Sequence, residues 1–502
     1  MFGAPVPHPV HAKLLRNISG SWLGIGADAV TGFVLTRIIL NAVGAESFGL
    51  WVLVSGLLGY YGLLDLGTRN GIIRFVARHN AQKDFESLSS VVSTAVAGYF
   101  AIGAIVLVLS LAAAWRLEHL FTFTTATALH DGRFLILILG VGAAVGFPLS
   151  AFGGTLEGLQ QFVRIGVVQA SASVARAVAV IVALWLGYGI VTVGILTVAF
   201  NIAAGLINAE YVLRNFPDVR VAFDNVRRET LRTLAAFGLV TFWVAIANRL
   251  RFESDALVIG KMIGLEMVAV FAIASKIISY STEVVAAMAS VFTPAISSAH
   301  ATGDHESVAR MTLMGNNLSS LLAFPICAVL VFFGKVLISL WVGPAYEGSY
   351  PILVILCVPM SLYISQFGST RMLYGVGKHR ELAKILFAEG VANLALSVAL
   401  APRYGIIGVA WGTAIPLAVT ALVMLPLLSC RSMGRTFLQY WTSAQLPALV
   451  TVFPLIALFT AMSFLRPSRG LLEALLQLAV GGVLYAGLVF RRFKTPSPVL
   501  VQ

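Results

Sequence analysis

The 502-residue chain is 58% hydrophobic and only 11% charged, and apolar runs of about twenty residues, the length that crosses a bilayer as a helix, recur from end to end. No polar stretch is long enough to form a soluble domain, and the runs are continuous rather than alternating over about ten residues, which excludes a membrane β-barrel. The net charge of +12 belongs to a membrane protein's basic cytoplasmic loops rather than to a nucleic-acid surface.

Taken in order, the apolar runs predict an all-α polytopic protein with spans at 17–40, 48–67, 88–115, 134–155, 165–186, 189–211, 233–260, 265–296, 312–333, 350–372, 384–401, 405–428, 445–465 and 471–490. The first follows a short flank with Lys13 and Arg16. It contains Ala27-Asp28-Ala29, which mimics a signal-peptidase site, but hydrophobicity runs on to Leu40 and predicts an uncleaved span. Fourteen crossings leave both termini on one side. Only Arg116, Arg133, Lys261, Lys335, Arg403, Arg466 and Arg469 fall in loops opposite the termini, so the positive-inside rule makes the termini cytoplasmic.

The chain repeats itself in the same orientation. At an offset of 220, Gly44, Glu46, Ser55, Tyr60, Ala81, Asp84, Glu86 and Ser87 recur as Gly264, Glu266, Ser275, Tyr280, Ala301, Asp304, Glu306 and Ser307. Further on the offset drifts to 215 or 216, with Phe152-Gly153 and Thr155 recurring as Phe367-Gly368 and Thr370, and Tyr188-Gly189-Ile190 as Tyr404-Gly405-Ile406. The expected organisation is two parallel-repeat six-helix bundles, 1–213 and 233–428, joined by a cytoplasmic linker at 214–232. Residues 429–502 add two further transmembrane helices and a cytoplasmic tail. Parallel repeats are a transporter design in which substrate sits between the halves near mid-membrane.

Loops 68–90 and 297–311 are polar with helical spacing. The first carries Arg69, Arg74, Arg78 and Lys83, which suits an amphipathic helix on an anionic leaflet. The linker mixes Arg214, Arg220, Arg227, Arg228 and Arg232 with Asp218, Asp224 and Glu229 and reads as a solvated tether.

Enzyme signatures are missing. No phosphate-cradling Gly-rich loop with its Lys occurs, no His or Cys cluster has metal-ligand spacing, and Cys327, Cys357 and Cys430 read as packed free thiols. A membrane enzyme would have to use Glu118, His119, His130 and Asp131 in the largest outer loop. No metal or organic cofactor is expected, apart from a coupling Na+ or proton.

Buried charge is the remaining signal. The seventh span carries Arg249, Arg251, Glu253 and Asp255, each of which would cost about 2.5–3.5 kcal/mol at a lipid-facing helix centre. Arg249 with Glu253 and Arg251 with Asp255 are i,i+4 pairs on nearly opposite sides of one helix, so one pair is expected to face a cavity and the other a neighbouring helix. Lys276, Ser279, Tyr280 and Glu283 fall on one stripe of the eighth span. That stripe lines either a helix seam or a water-filled path. In the first span Asp28 aligns with Asn248 of the repeat, while Arg37 can snorkel to the outer interface or line the cavity. Arg176 has no acidic partner on its own helix. Pro294 either bends the polar-striped span or fixes a static kink.

Gly44-Ala-Glu-Ser-Phe-Gly-Leu-Trp51, Leu63-Leu-Asp-Leu-Gly67 running into Arg74-Phe-Val-Ala-Arg78 and Asp84, and Tyr404-Gly-Ile-Ile-Gly-Val-Ala-Trp411 resemble the bacterial polysaccharide and O-antigen flippases of the multidrug, oligosaccharidyl-lipid and polysaccharide exporter superfamily. The resemblance implies translocation of undecaprenyl-pyrophosphate-linked oligosaccharide across the inner membrane by alternating access. It also implies that spans one, two, seven and eight line the cavity and that the chain works beside polysaccharide polymerase machinery. The site so implied uses Arg249, Arg251, Lys276, Tyr280 and Arg37 for the substrate, with Asp28, Glu253, Asp255 and Glu283 balancing charge or coupling an ion. A cation-coupled multidrug exporter of the same superfamily is the alternative. Its pocket would be predominantly acidic, whereas these four spans hold equal numbers of cations and anions.

Overall fold

The computed structural model describes residues 8–465 and 471–494, without the side chains of 8–22, 236–241, 243, 244 and 493. Lys13, Arg16, Arg466 and Arg469 therefore fall outside the described side chains. Every element among the described residues is helical, and the chain divides into two compact units, 1–246 with 264–266 and 247–263 with 267–502.

The first unit contains α1 (His8–Gly59, interrupted at Gly44), α2 (Thr68–Gln82), α3 (Phe85–Leu120), α4 (Ala126–Gly158), α5 (Phe162–Trp185), α6 (Ile190–Asn215) and most of α7 (Arg228–Phe252). Small residues let its helices approach closely, as membrane bundles require. At Gly140 an added Cβ would collide with the Ser110 side chain of α3. Towards one end of the bundle, Ile72, Val76, Leu88, Val92, Tyr99, Leu156, Val212 and Leu234 form a continuous buried cluster.

The linker's charged side chains are exposed, but its backbone is fastened to α3. Ser89 Oγ donates to Asp218 O and accepts from Arg220 N, both at 3.0 Å. Ser93 Oγ donates to Arg220 O and accepts from Ala222 N, both at 3.2 Å, and Thr94 Oγ1 accepts from Arg227 N at 3.1 Å. Arg227 also pairs with Glu86 at 2.5 Å, and Ser90 meets Thr230 at 3.1 Å. A row of hydroxyls on α3 thus satisfies backbone groups that would otherwise need water or a strand, and straps 218–227 to the helix.

The second unit holds the end of α7, α8 (Ser254–Met262), α9 (Leu265–Ser290), α10 (Phe292–Ala301), α11 (His305–Trp341), α12 (Ser349–Ile364), α13 (Phe367–Gly375), α14 (His379–Val419), α15 (Leu425–Met433), α16 (Phe437–Tyr440), α17 (Leu446–Leu465) and α18 (Leu471–Lys494). The polar-striped span is interrupted at Val291. α9 ends at Ser290, four residues before Pro294, whose ring excludes a helical carbonyl there. α14 is interrupted at Gly405 (φ 56, ψ −140), and Thr413 then returns to Asn393 and Ser397 to the Val409 carbonyl. The break is a chain reversal, and the two arms of α14 lie against each other. The C-terminal pair packs into this unit: Phe459 of α17 meets Phe333 edge-on at 5.0 Å, and Tyr485 of α18 donates to Leu321 O at 2.7 Å.

Among the described residues, ten helices are long and apolar enough to cross a membrane, or eleven if bent α12 and α13 form one span. Fourteen were expected from the apolar runs. Of the fourteen, α1, broken at Gly44, and α14, reversed at Gly405, each carry two expected spans in one helix, and the seventh span includes residues outside the described side chains. The repeat is visible in local backbone. Gly44 and Gly264 both take positive φ (79° and 139°), as do Lys83 and Gly303 (55° and 74°). Asp84 and Asp304 then cap α3 and α11 by accepting from Ser87 N at 3.0 Å and Ser307 N at 2.9 Å.

Candidate functional site

The helix of the seventh span stops at Phe252 and restarts at Ser254. Arg249 still reaches Glu253, and the two side chains are ion-paired and about one-third exposed. The expected Arg251 to Asp255 pair does not form, because the helical angle that places them together is lost across the break at Glu253. Arg251 is buried instead against α14, donating from Nε to Glu389 Oε1 at 2.5 Å and from Nη1 to the Tyr363 hydroxyl at 3.3 Å. Its guanidinium also stacks 4.5 Å from the Tyr363 ring centroid. Its side chain is 2% exposed, against 33% for Arg249.

Asp255, buried, has no basic partner among the described residues. Its carboxylate accepts from Thr413 Oγ1 at 2.8 Å and from Ser397 Oγ at 3.5 Å. Asn393 sits beside them: its Nδ2 donates to Arg251 O at 3.0 Å, so Oδ1 faces the cluster, 3.0 Å from Ser397 Oγ and 3.3 Å from Thr413 Oγ1. Both hydroxyls also reach Val409 O, at 3.4 and 3.3 Å. Two hydroxyl hydrogens are shared among both carboxylate oxygens, the amide oxygen and the carbonyl, and Asn393 adds a side-chain hydrogen bond to Asp255. A buried, hydrogen-poor set of oxygens with one formal negative charge is a fit for a proton or a small hard monovalent cation. Gly412 makes it possible. A Cβ there would fall 2.6 Å from Ser397 N, so only glycine lets the arms of α14 close on each other.

Glu389, Asn393, Ser397 and Thr413 were not among the expected site residues. A signal for them existed, since 389, 393 and 397 recur at intervals of four within one apolar span and mark a polar stripe.

On α9, Lys276 and Tyr280 are half-buried and Glu283 is exposed. Ser279 turns its hydroxyl back to Lys276 O at 2.9 Å. Among the described residues no ion pair joins Lys276 to Glu283, consistent with their separation of two turns. In the first unit Arg37 is exposed on α1. Asp28 provides the partner that Arg176 lacks on its own helix: Arg176 Nη2 lies 3.3 Å from Asp28 Oδ1 and 3.1 Å from Ser173 Oγ. Ser173 also donates to Asp28 Oδ1, and Gln169 Nε2 donates to Asp28 Oδ2 at 2.9 Å. In the outer loop Glu118 pairs with Arg133 at 3.1 Å, and Asp131 lies 3.8 Å from His130 Nδ1.

The fold is that of solved transporters. The chain superposes on a lipid II flippase, MurJ, in an inward closed conformation, with a TM-score of 0.72 at 13% identity, covering 97% of this chain and all of that one. An inward-facing multidrug resistance transporter of the MATE family matches with a TM-score of 0.70 at 18% identity over 84% of this chain and 98% of that one. In sequence, a Shigella flexneri protein named for O-antigen transport is 20% identical over 423 residues, covering 82% of this chain and 97% of the relative. These relatives carry the names of transporters and flippases, not of enzymes. The family model described as polysaccharide biosynthesis protein matches residues 14–300, more than half of the chain. With that match, this multi-pass membrane protein of transporter fold belongs to the polysaccharide biosynthesis protein family.

Proposed function

We propose that the chain is a flippase that carries undecaprenyl-pyrophosphate-linked oligosaccharide across the bacterial inner membrane by alternating access, with both termini cytoplasmic, and that a monovalent cation bound at Asp255 drives it. The observation that carries the coupling is the buried Asp255 carboxylate with no basic partner in an acceptor-rich set of oxygens. A permanently buried charge is costly, and one left uncompensated inside a transporter marks a place where a cation binds and leaves. Arg249 and Lys276 of the second unit are the proposed diphosphate contacts, because guanidinium and ammonium groups match diphosphate oxygens, with Tyr280 on the helix of Lys276 as a hydroxyl contact; Arg37, in the first unit, is a separate candidate contact. Arg251 anchors the end of α7 to α14 through Glu389. Glu253 and Glu283 balance the charge of their cationic neighbours, and polysaccharide polymerase machinery is the expected consumer of the product.

Depletion in cells tests the reading. Lipid-pyrophosphate oligosaccharide should accumulate on the cytoplasmic leaflet, and wild-type chain but not Asp255→Asn should clear it. Drug sensitivity on depletion with surface polysaccharide intact would favour the multidrug-exporter alternative instead.

A further inference from the structure

The first unit contains an open cleft of about 380 Å3, lined by Ile25 and Asp28 of α1, Glu157 of α4, and Phe162, Ile165 and Gln169 of α5 together with two glycines. Its volume lies within the range of small-molecule sites, about 300–1,000 Å3. Both acids in its wall are already compensated by arginines that do not line it. Arg176 pairs with Asp28, and Arg69 Nη2 lies 2.6 Å from Glu157 Oε1. Gln169 donates one amide N–H to Asp28 Oδ2, leaving its oxygen and its second N–H for a ligand.

The described wall is therefore rich in acceptors, and the two arginines that compensate its acids are not among the described lining residues. Among the described lining residues, a phosphate or carboxylate entering the cleft would meet two carboxylates and a single amide N–H. A cation would meet carboxylates whose charge is already neutralised. A ligand rich in hydroxyl donors and carrying no charge suits both constraints, and Phe162 offers an apolar face to the C–H side of a pyranose ring. We infer that this cleft is a subsite for an uncharged sugar residue of the transported glycan. It recognises ring hydroxyls through Asp28, Glu157 and Gln169 and the ring face through Phe162. This rests on the flippase reading, and it places a sugar contact in the first unit.

Saturation-transfer NMR on the purified full chain in nanodiscs tests it, with the methyl glycosides of glucose, galactose, mannose and N-acetylglucosamine, methyl glucuronide, and tetraphenylphosphonium as probes. At least one neutral glycoside should give a signal that falls about tenfold in Phe162→Ala and in Gln169→Leu, the loss of roughly one good contact. Trp185→Ala, outside the cleft, should leave it unchanged, and unaltered melting temperatures would show that the variants are folded. Stronger binding of the glucuronide or the phosphonium, or no neutral signal sensitive to the two variants, would overturn the inference. Such a failure alongside a positive cellular depletion result would remove only this subsite; a negative depletion result would remove the flippase reading itself.

Discussion

Arg251 and Glu389 pair at 2.5 Å at the positions where the first repeat places Thr31 and Ser173, whose hydroxyls lie 3.0 Å apart. Offsets of 220 and 216 relate the residues. The same helix pair is thus pinned at the same depth by a neutral contact in one repeat and by a buried ion pair in the other. Arg251 Nη2 and Glu389 Oε2 have no hydrogen-bond partner among the described residues, so the ion pair is only partly satisfied.

Removing one member strands the other. Glu389→Ala or Arg251→Ala should destabilise the protein by about 3–5 kcal/mol, whereas Arg251→Thr with Glu389→Ser, a copy of the first repeat, should recover part of that loss. Thermal unfolding of the four proteins in one detergent checks this. Equal destabilisation by the single and double variants would show that the pair does not act as a unit.

The oxygen set around Asp255 should respond to sodium or to protons. Raising Na+ at constant ionic strength should raise the melting temperature of the wild-type protein, because a ligand that binds only the folded state stabilises it. Asp255→Asn should abolish that response. A rise that occurs only on acidification would identify the proton as the bound cation.

Gly412→Val should separate the arms of α14 and disable the same set without removing any of its oxygens. The expected result is loss of the Na+ response together with a lower melting temperature. A variant that keeps the full response would show that the close approach at Ser397 is dispensable.

The strap predicts protection. Each hydroxyl contact from α3 contributes about 0.5–1.5 kcal/mol net, so Ser89→Ala with Ser93→Ala should raise the tryptic cleavage rate at Arg220 by about tenfold or more. Unchanged cleavage would mean that the segment is held by other contacts.

The caps of the repeat predict a pH response. The hydrogen bonds from Ser87 hold the Asp84 carboxyl below its ordinary range, and those from Ser307 do the same for Asp304. A lowered folded pKa gives stability that is complete above the unfolded value of about 3.9 and is lost as pH falls through the folded one. Asp84→Asn with Asp304→Asn should therefore narrow the difference in melting temperature between pH 5 and pH 3. An unchanged difference would place the acid sensitivity elsewhere.

Much of this was legible in the residues because membrane helices advertise themselves in hydropathy, and because offsets such as Asp84 to Asp304 record the repeat directly. The pairing inside 249–255 was not. Helical periodicity linked Arg251 to Asp255, and nothing in the local sequence announced that the helix would break at Glu253. Partners such as Glu389 for Arg251 and Asp28 for Arg176 lie more than a hundred residues away, so they became visible only when the helices were packed. The strap escaped for a related reason: charge composition describes side chains, whereas the serines of α3 hold its backbone.

Every hydroxyl that grips the strap belongs to α3, and α3 has already been synthesised when residues 218–227 leave the ribosome. The first unit, nearly all of which precedes residue 247, can fasten its own closing segment while the second is still being made. The chain is thus suited to building its transporter in two sequential stages, domain by domain, with the seam tied off before the later helices arrive to compete for the same polar groups.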